Sequence, residues 1–137
     1  MTRATLRLLP LLALPLFSAC QSGPTMSNSV SVPGDNSALS TMERIAVAAQ
    51  KCWFGPQVAG FEGLAMSPEL SSFSGRPRIL AVPRGNVGGL PKLVVEATGK
   101  PAQISAFGPL MDGPQASAID ADTRRWAGGD TACSVGA

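Results

Sequence analysis

The chain opens with an apolar run too short to cross a membrane and closed by a cysteine, and that run governs where everything after it folds. Residues 1–7 carry Arg3 and Arg7 and no acidic side chain. Residues 8–17, Leu-Leu-Pro-Leu-Leu-Ala-Leu-Pro-Leu-Phe, are wholly apolar; the small residues Ser18 and Ala19 follow, then Cys20. Positive, apolar, small is the order of an export leader. The uncharged stretch from Leu8 to Ala19 spans 12 residues, whereas a membrane-spanning helix needs about 20. Pro10 and Pro15 weaken a permanent helix further. The pattern predicts a leader over residues 1–19, cut between Ala19 and Cys20, and a mature chain that folds outside the cytoplasm.

Leu16-Phe17-Ser18-Ala19-Cys20 resembles the lipobox of bacterial lipoproteins: an apolar residue at −3, small residues at −2 and −1, and Cys at +1. Phe17 departs from the Leu usual at −3. The resemblance covers about the first 20 residues of the sequence. It implies that Cys20 receives a diacylglyceryl group on its sulfur, that signal peptidase II cuts before it, and that its new amine is acylated. Cysteine is required there because a thiolate is the nucleophile that takes the lipid. One acyl chain holds a protein to a bilayer only marginally, and two or three hold it stably. In the same family Asp at +2 retains the protein at the inner membrane. Gln21 at that position implies the outer membrane, with the domain facing the periplasm. Two further stretches, Phe73-Ser74-Gly75-Arg76-Pro77-Arg78 and Ala106-Phe107-Gly108-Pro109-Leu110, resemble segments of small proteobacterial lipoproteins, a likeness that implies no activity.

Residues 20–37 are rich in Ser, Gly, Pro and Asn and show no apolar period. That is linker composition, so this stretch is expected to be a tether reaching a few tens of ångströms at most. Residues 38–137 are expected to be one small domain.

Within it, Ser40-Thr41-Met42-Glu43 matches a helix capping box. Met42, Ile45, Ala46, Ala49 and Trp53 then recur at helical spacing, up to a stop at Gly55-Pro56. Strands are expected over 61–72, irregular near Pro68, and over 78–82, 92–98 and 102–107, joined by short turn-like connections that favour an antiparallel meander. Val94, Glu96 and Thr98 alternate with Leu93, Val95 and Ala97, which predicts one covered and one wetter face. A last helix is expected from Asp112, with Pro114 in its first turn and Gly128-Gly129 at its end. Its apolar face is Ala116, Ile119, Thr123 and Trp126; Asp120–Arg124 and Asp122–Arg125 read as exposed ion pairs on the other side. The expected class is therefore α+β: a two-layer sandwich with an antiparallel sheet of about four strands, flanked by N- and C-terminal helices.

With Cys20 assigned to lipid, Cys52 and Cys133 remain as an even pair in an oxidising compartment. Each lies at or just past a predicted helix end, and a disulfide joining the two helices is expected. A metal or redox site would call for CxxC spacing or histidine; the spacing is absent and the sequence contains no His. That absence also removes Ser-His-Asp and Cys-His catalysis. The carboxylates are scattered, so no catalytic residue, metal ligand or cofactor is assigned, and no enzymatic activity is expected. Outside the leader nine basic residues face nine acidic ones, which leaves no basic stripe for nucleic acid. The expected partners are the membrane, through the lipid, and another envelope protein. The alternative is a small ligand or anion held by the loop Arg84-Gly85-Asn86-Val87-Gly88-Gly89. There Gly85, Gly88 and Gly89 let backbone N–H groups approach an anion, and Arg84 and Arg76 add charge. Glycines in a hairpin connection are equally explained by the turn itself.

Overall fold

Apolar side chains two residues apart line one side of four successive strands, and this period of two builds the centre of the molecule. The computed structural model describes residues 35–55, 58–71 and 73–133. Strands β1 (Leu64–Glu69), β2 (Arg78–Pro83), β3 (Leu93–Thr98) and β4 (Gln103–Phe107) form one antiparallel sheet in the order β1-β2-β3-β4. The register sets Met66 opposite Ala81, Ile79 opposite Val95, and Ala97 opposite Ile104. Those residues all fall on one face, where Ile79, Ala81, Leu93, Val95 and Ala97 are buried. Helix α1 (Ala38–Cys52) precedes the sheet, and a 3₁₀ turn (Pro109–Asp112) and helix α2 (Ala116–Ala127) follow it. The fold is α+β, with one helix on each sequence flank of a four-stranded antiparallel sheet. Pro68 does not break β1: it sits in an edge strand, opposite Ile79, where a missing N–H is tolerated.

The apolar stripe of α1 is buried as its spacing predicts, with Met42, Ile45 and Ala49 fully enclosed. Its start differs from the expectation. Ser37, not Ser40, is the N-cap, and its side chain accepts from the Ser40 N–H at 3.3 Å. Ser40 instead lies in the first turn, where its hydroxyl accepts from Arg44 at 3.0 Å. The physical reason lies upstream. The Asp35 carboxylate accepts from the Ser37 N–H at 2.9 Å, the Asn36 carbonyl accepts from Ala102 N–H, and Ala38 N–H donates to Gly99. These bonds fix the chain from Asp35 onward, so the last three residues of the linker-like stretch belong to the fold. Ser37 N–H, the Ser37 hydroxyl and Lys100 together hold the Asp35 carboxyl below its ordinary pKa. Arg44 ties this corner together, donating to the carbonyls of Asp35 and Ala127 at 3.2 Å each.

Helix α2 also starts later than Asp112. The Gly113 N–H closes back on Leu110 and ends a separate 3₁₀ turn, so Pro114 precedes the helix. At the far end the chain closes as a Schellman motif: Gly129 N–H donates to Trp126 and Asp130 N–H to Arg125. Gly129 at φ +94° supplies the left-handed residue that the motif needs.

The outer sheet face is not uniformly wet. Register places Ser67, Leu80, Val94 and Phe107 in one row across all four strands, beside a second row of Glu69, Arg78, Glu96 and Ser105. Val94 is buried because Leu80 and Phe107 flank it across the strands. Arg78 and Glu69 pair within the second row, Nε to Oε2 at 2.6 Å.

Candidate functional site

Three sites were marked by the sequence: the anchor, the cysteine pair and the basic glycine loop. The anchor residues Ala19 and Cys20 lie outside the described residues. No helix among the described residues is long and apolar enough to cross a membrane.

Cys52 and Cys133 pair as a disulfide, with Cα atoms 5.4 Å apart. Their setting is built by the ends of both helices. Cys52 closes α1, and Trp53 beside it stacks on Phe61 with centroids 5.1 Å apart. Trp53 also meets Trp126 of α2 at 4.7 Å. Such ring pairs add about 0.5–1.5 kcal/mol each beyond the area they bury. Both indole N–H groups are answered: Trp53 donates to the Asp122 carboxylate at 3.1 Å, and Trp126 to the Ala132 carbonyl at 2.9 Å. Arg125 bridges the same two acceptor groups, reaching Asp122 at 2.8 Å and Ala132 at 2.9 Å.

Asp122 is therefore no exposed partner of Arg125. It is fully buried and links α1 to α2. The i,i+3 spacing was met, but it says only that two side chains can touch. The missed signal is that Asp122 stands three residues after Ile119 and four before Trp126, on the buried stripe itself. Asp120–Arg124 matches the surface reading: the pair is 2.8 Å apart and largely solvated. Their hydrogen bond lowers the Asp120 pKa and raises that of Arg124.

The glycine loop resolves into two successive turns. Asn86 N–H bonds the Pro83 carbonyl at 3.0 Å, and Gly89 N–H bonds the Asn86 carbonyl at 3.0 Å. Gly85 takes φ +84° at the third position of the first turn, a conformation that glycine adopts without penalty. Two N–H groups that an anion would need are thus committed to the turns. Arg84 is committed to β1: its backbone N–H donates to Gly63 at 2.7 Å and its guanidinium to the Leu64 carbonyl at 3.1 Å. Arg76 lies near Glu96 at 3.9 Å. Arg76 and Arg84 flank opposite ends of β2, a strand rising about 3.3 Å per residue. Arg76 and Arg84 thus have separate partners, one on β3 and one at the start of β1. Arg84 also backs a cleft of about 350 Å³ with Trp53, Phe54, Gly55, Phe61, Glu62 and Gly63. Glu62 lines the same cleft, and its carboxylate accepts from Gly60 N–H at 2.7 Å. That mixed charge is unlike an anion nest.

No family model matches this chain, and neither a curated protein nor a solved structure is similar to it. Among the described residues no group of three or more Cys, Asp or Glu side chains is placed to hold a metal ion. What the described site can do chemically is tie the ends of two helices together. Val87, Leu90 and Phe107 are exposed, the first two in the loop after β2 and the third at the end of β4.

Proposed function

We propose that the mature chain is a lipoprotein of the bacterial envelope, anchored through acylated Cys20 and facing the periplasm from the outer membrane. Its folded part has a structural or protein-binding role and no enzymatic one. The observation that carries this reading is the order of residues 1–20: Arg3 and Arg7, an uninterrupted apolar run, two small residues and a cysteine. The Cys52–Cys133 disulfide supports it, because such bonds persist in the periplasm and are rare in the cytosol. The ligand alternative at loop 84–89 has less support, since Arg84 and Arg76 face different partners.

The test is processing in the native host. When signal peptidase II is blocked, a precursor longer by the leader should accumulate, and labelled palmitate should enter the wild type but not Cys20→Ala. Unchanged processing under the block, or equal label in Cys20→Ala, would remove the anchor from the account.

A further inference from the structure

The two edges of the sheet are finished differently. Along β1 the outer edge carries Pro68, which has no N–H, and Glu69, which is charged. Both are devices that keep a strand edge from pairing with another chain. β4, Gln-Ile-Ser-Ala-Phe, has neither proline nor charge, so its edge calls for a cover. The described chain begins to supply one. The Asn36 carbonyl accepts from Ala102 N–H at 2.8 Å, and Ala38 N–H donates to the Gly99 carbonyl at 2.9 Å. Residue numbers rise on one side as they fall on the other, so residues 36–38 run antiparallel to the segment that leads into β4.

We propose that residues 29–34, Ser-Val-Ser-Val-Pro-Gly, continue this pairing along β4 as a fifth, edge strand of the same sheet. The pairing itself needs no lipid; only its consequence for the tether rests on the anchored reading above.

The register follows from the bond already made. Asn36 opposite Ala102 puts Gly34 opposite Ile104 and Val32 opposite Ala106. Alternate residues of a strand direct their backbone groups to opposite neighbours. Ala102 turns its N–H toward Asn36, so Ile104 and Ala106 turn theirs the same way, toward Gly34 and Val32. Pro33 falls between, opposite Ser105, where a strand residue's own N–H points away from β4. Its missing donor therefore costs no bond, and it closes the new edge as Pro68 closes the other. The side chains fit the same register. Directly opposed residues share a face, and Ala106 belongs to the helix-covered face, being opposite Val95. Val32 and Val30 join that face beside half-buried Ile104 and Ala106, while Ser29 and Ser31 take the outer face, where Ser105 is exposed. A segment already held at Asn36 pairs without the loss of freedom that any separate chain would bear. In the lipid-bearing protein only residues 21–28 then remain as free tether, with a reach of about 15 Å by the flexible-chain relation.

The experiment uses the full product isolated from the native host in detergent, read by amide exchange and by cysteine pairing. In the wild type the amides of Ile104 and Ala106 should exchange slowly. Val32→Pro removes the donor that faces Ala106 and should speed both by about fivefold or more. Ser31→Pro, at a position whose N–H points outward, should leave them slow. Circular dichroism checks that both variants keep the wild-type spectrum. Pro33→Cys with Ser105→Cys should form an intramolecular disulfide beside the intact Cys52–Cys133 bond, since a directly opposed pair lies within disulfide reach. Val32→Cys with Ser105→Cys should not, because the two side chains take opposite faces, and neither should Pro33→Cys with Ser67→Cys on β1. Fast exchange of Ile104 and Ala106 in the wild type, or equal effects of the two prolines, would overturn the proposal. Failure of the pair at 33 and 105 to close would do the same, as would a bond there that joins two chains, which assigns the edge to a second copy. The anchor is read separately, from acyl mass on the same chains, and the pairing outcome does not depend on it.

Discussion

The seam between α1 and α2 and the loop between β2 and β3 hold the two features that stand out most in the sequence, a cysteine pair and a basic glycine run. They use them in opposite ways. At the seam, one small volume carries a disulfide, two indoles in tilted contact and a buried carboxylate, each joining segments far apart in the chain. In the loop, the constraints are mostly local: turn bonds close over three residues, and Gly85 is placed by its φ alone. Arg84 is the exception, reaching across to β1. The comparison teaches that a conspicuous residue type marks a place under constraint, while the reach of its contacts decides whether the constraint is global. Damage at the seam should be felt by the whole domain, and damage in the loop should stay there.

The largest break of that contrast is removal of the disulfide. Its cysteines are 81 residues apart, and the chain-entropy model gives about 4–5 kcal/mol for such a loop, less any native strain. Cys52→Ala with Cys133→Ala should lower the urea midpoint by most of a small domain's stability, and reducing agent should mimic it, since Cys133 is exposed. A shift below about 1 kcal/mol would mean that the indole and carboxylate contacts alone hold the seam.

Next is Asp122→Ala, which leaves the Trp53 indole N–H without its buried acceptor. The expected cost is about 1–3 kcal/mol, read by denaturant unfolding, with loss of the Trp53 environment in near-ultraviolet circular dichroism. A neutral result would place Asp122 outside the seam's energetics. In the loop, Gly85→Ala forces a Cβ into a left-handed conformation and should cost about 1–2 kcal/mol. Amide exchange should rise only near residues 83–89, and a spread of fast exchange into α1 would erase the contrast.

The smallest effect is on acid stability. Asp35 and Asp120 both titrate below their ordinary value in the folded chain, Asp35 through its bonds to Ser37 and Asp120 through its bond to Arg124. Their contribution is complete above the unfolded carboxylate pKa of about 4 and is lost as pH falls through the folded values. Stability should be flat above about pH 5 and decline below 4. Both groups are exposed, so salt should shrink the decline. Asp120→Asn should remove its share, and an increase in stability on acidification would contradict the assignment.

Much of the sheet was legible in the sequence because a period of two carries its own register. Once Leu93, Val95 and Ala97 alternate with Val94, Glu96 and Thr98, the first set is marked for the covered face, although Val94 on the other face is buried as well. The stripe of α1 and the pairing of Cys52 with Cys133 were legible for similar reasons, each resting on spacing or parity. What spacing cannot carry is direction. Asp122 and Arg125 sit at an ion-pair interval, yet the carboxylate points into the seam, because the indole of Trp53, 69 residues earlier, needs an acceptor. Ser40 and Glu43 fit a capping box, yet the cap is Ser37, because Asp35 and Asn36 are tied to Lys100 and Ala102 on a distant turn. Arg76 and Arg84 are close in sequence, yet the length of β2 lies between them. In each case a contact distant in sequence chose between local options that were equally good.

The fate of the Cys20 sulfur decides how the chain is anchored, and the intact mass of the product isolated from the native host reads it directly. The predicted result is a chain that begins at Cys20 and carries the added mass of two or three acyl chains, with two hydrogens missing for the Cys52–Cys133 bond. A chain that still begins at Met1, or one that begins at Cys20 with no acyl mass, would contradict it.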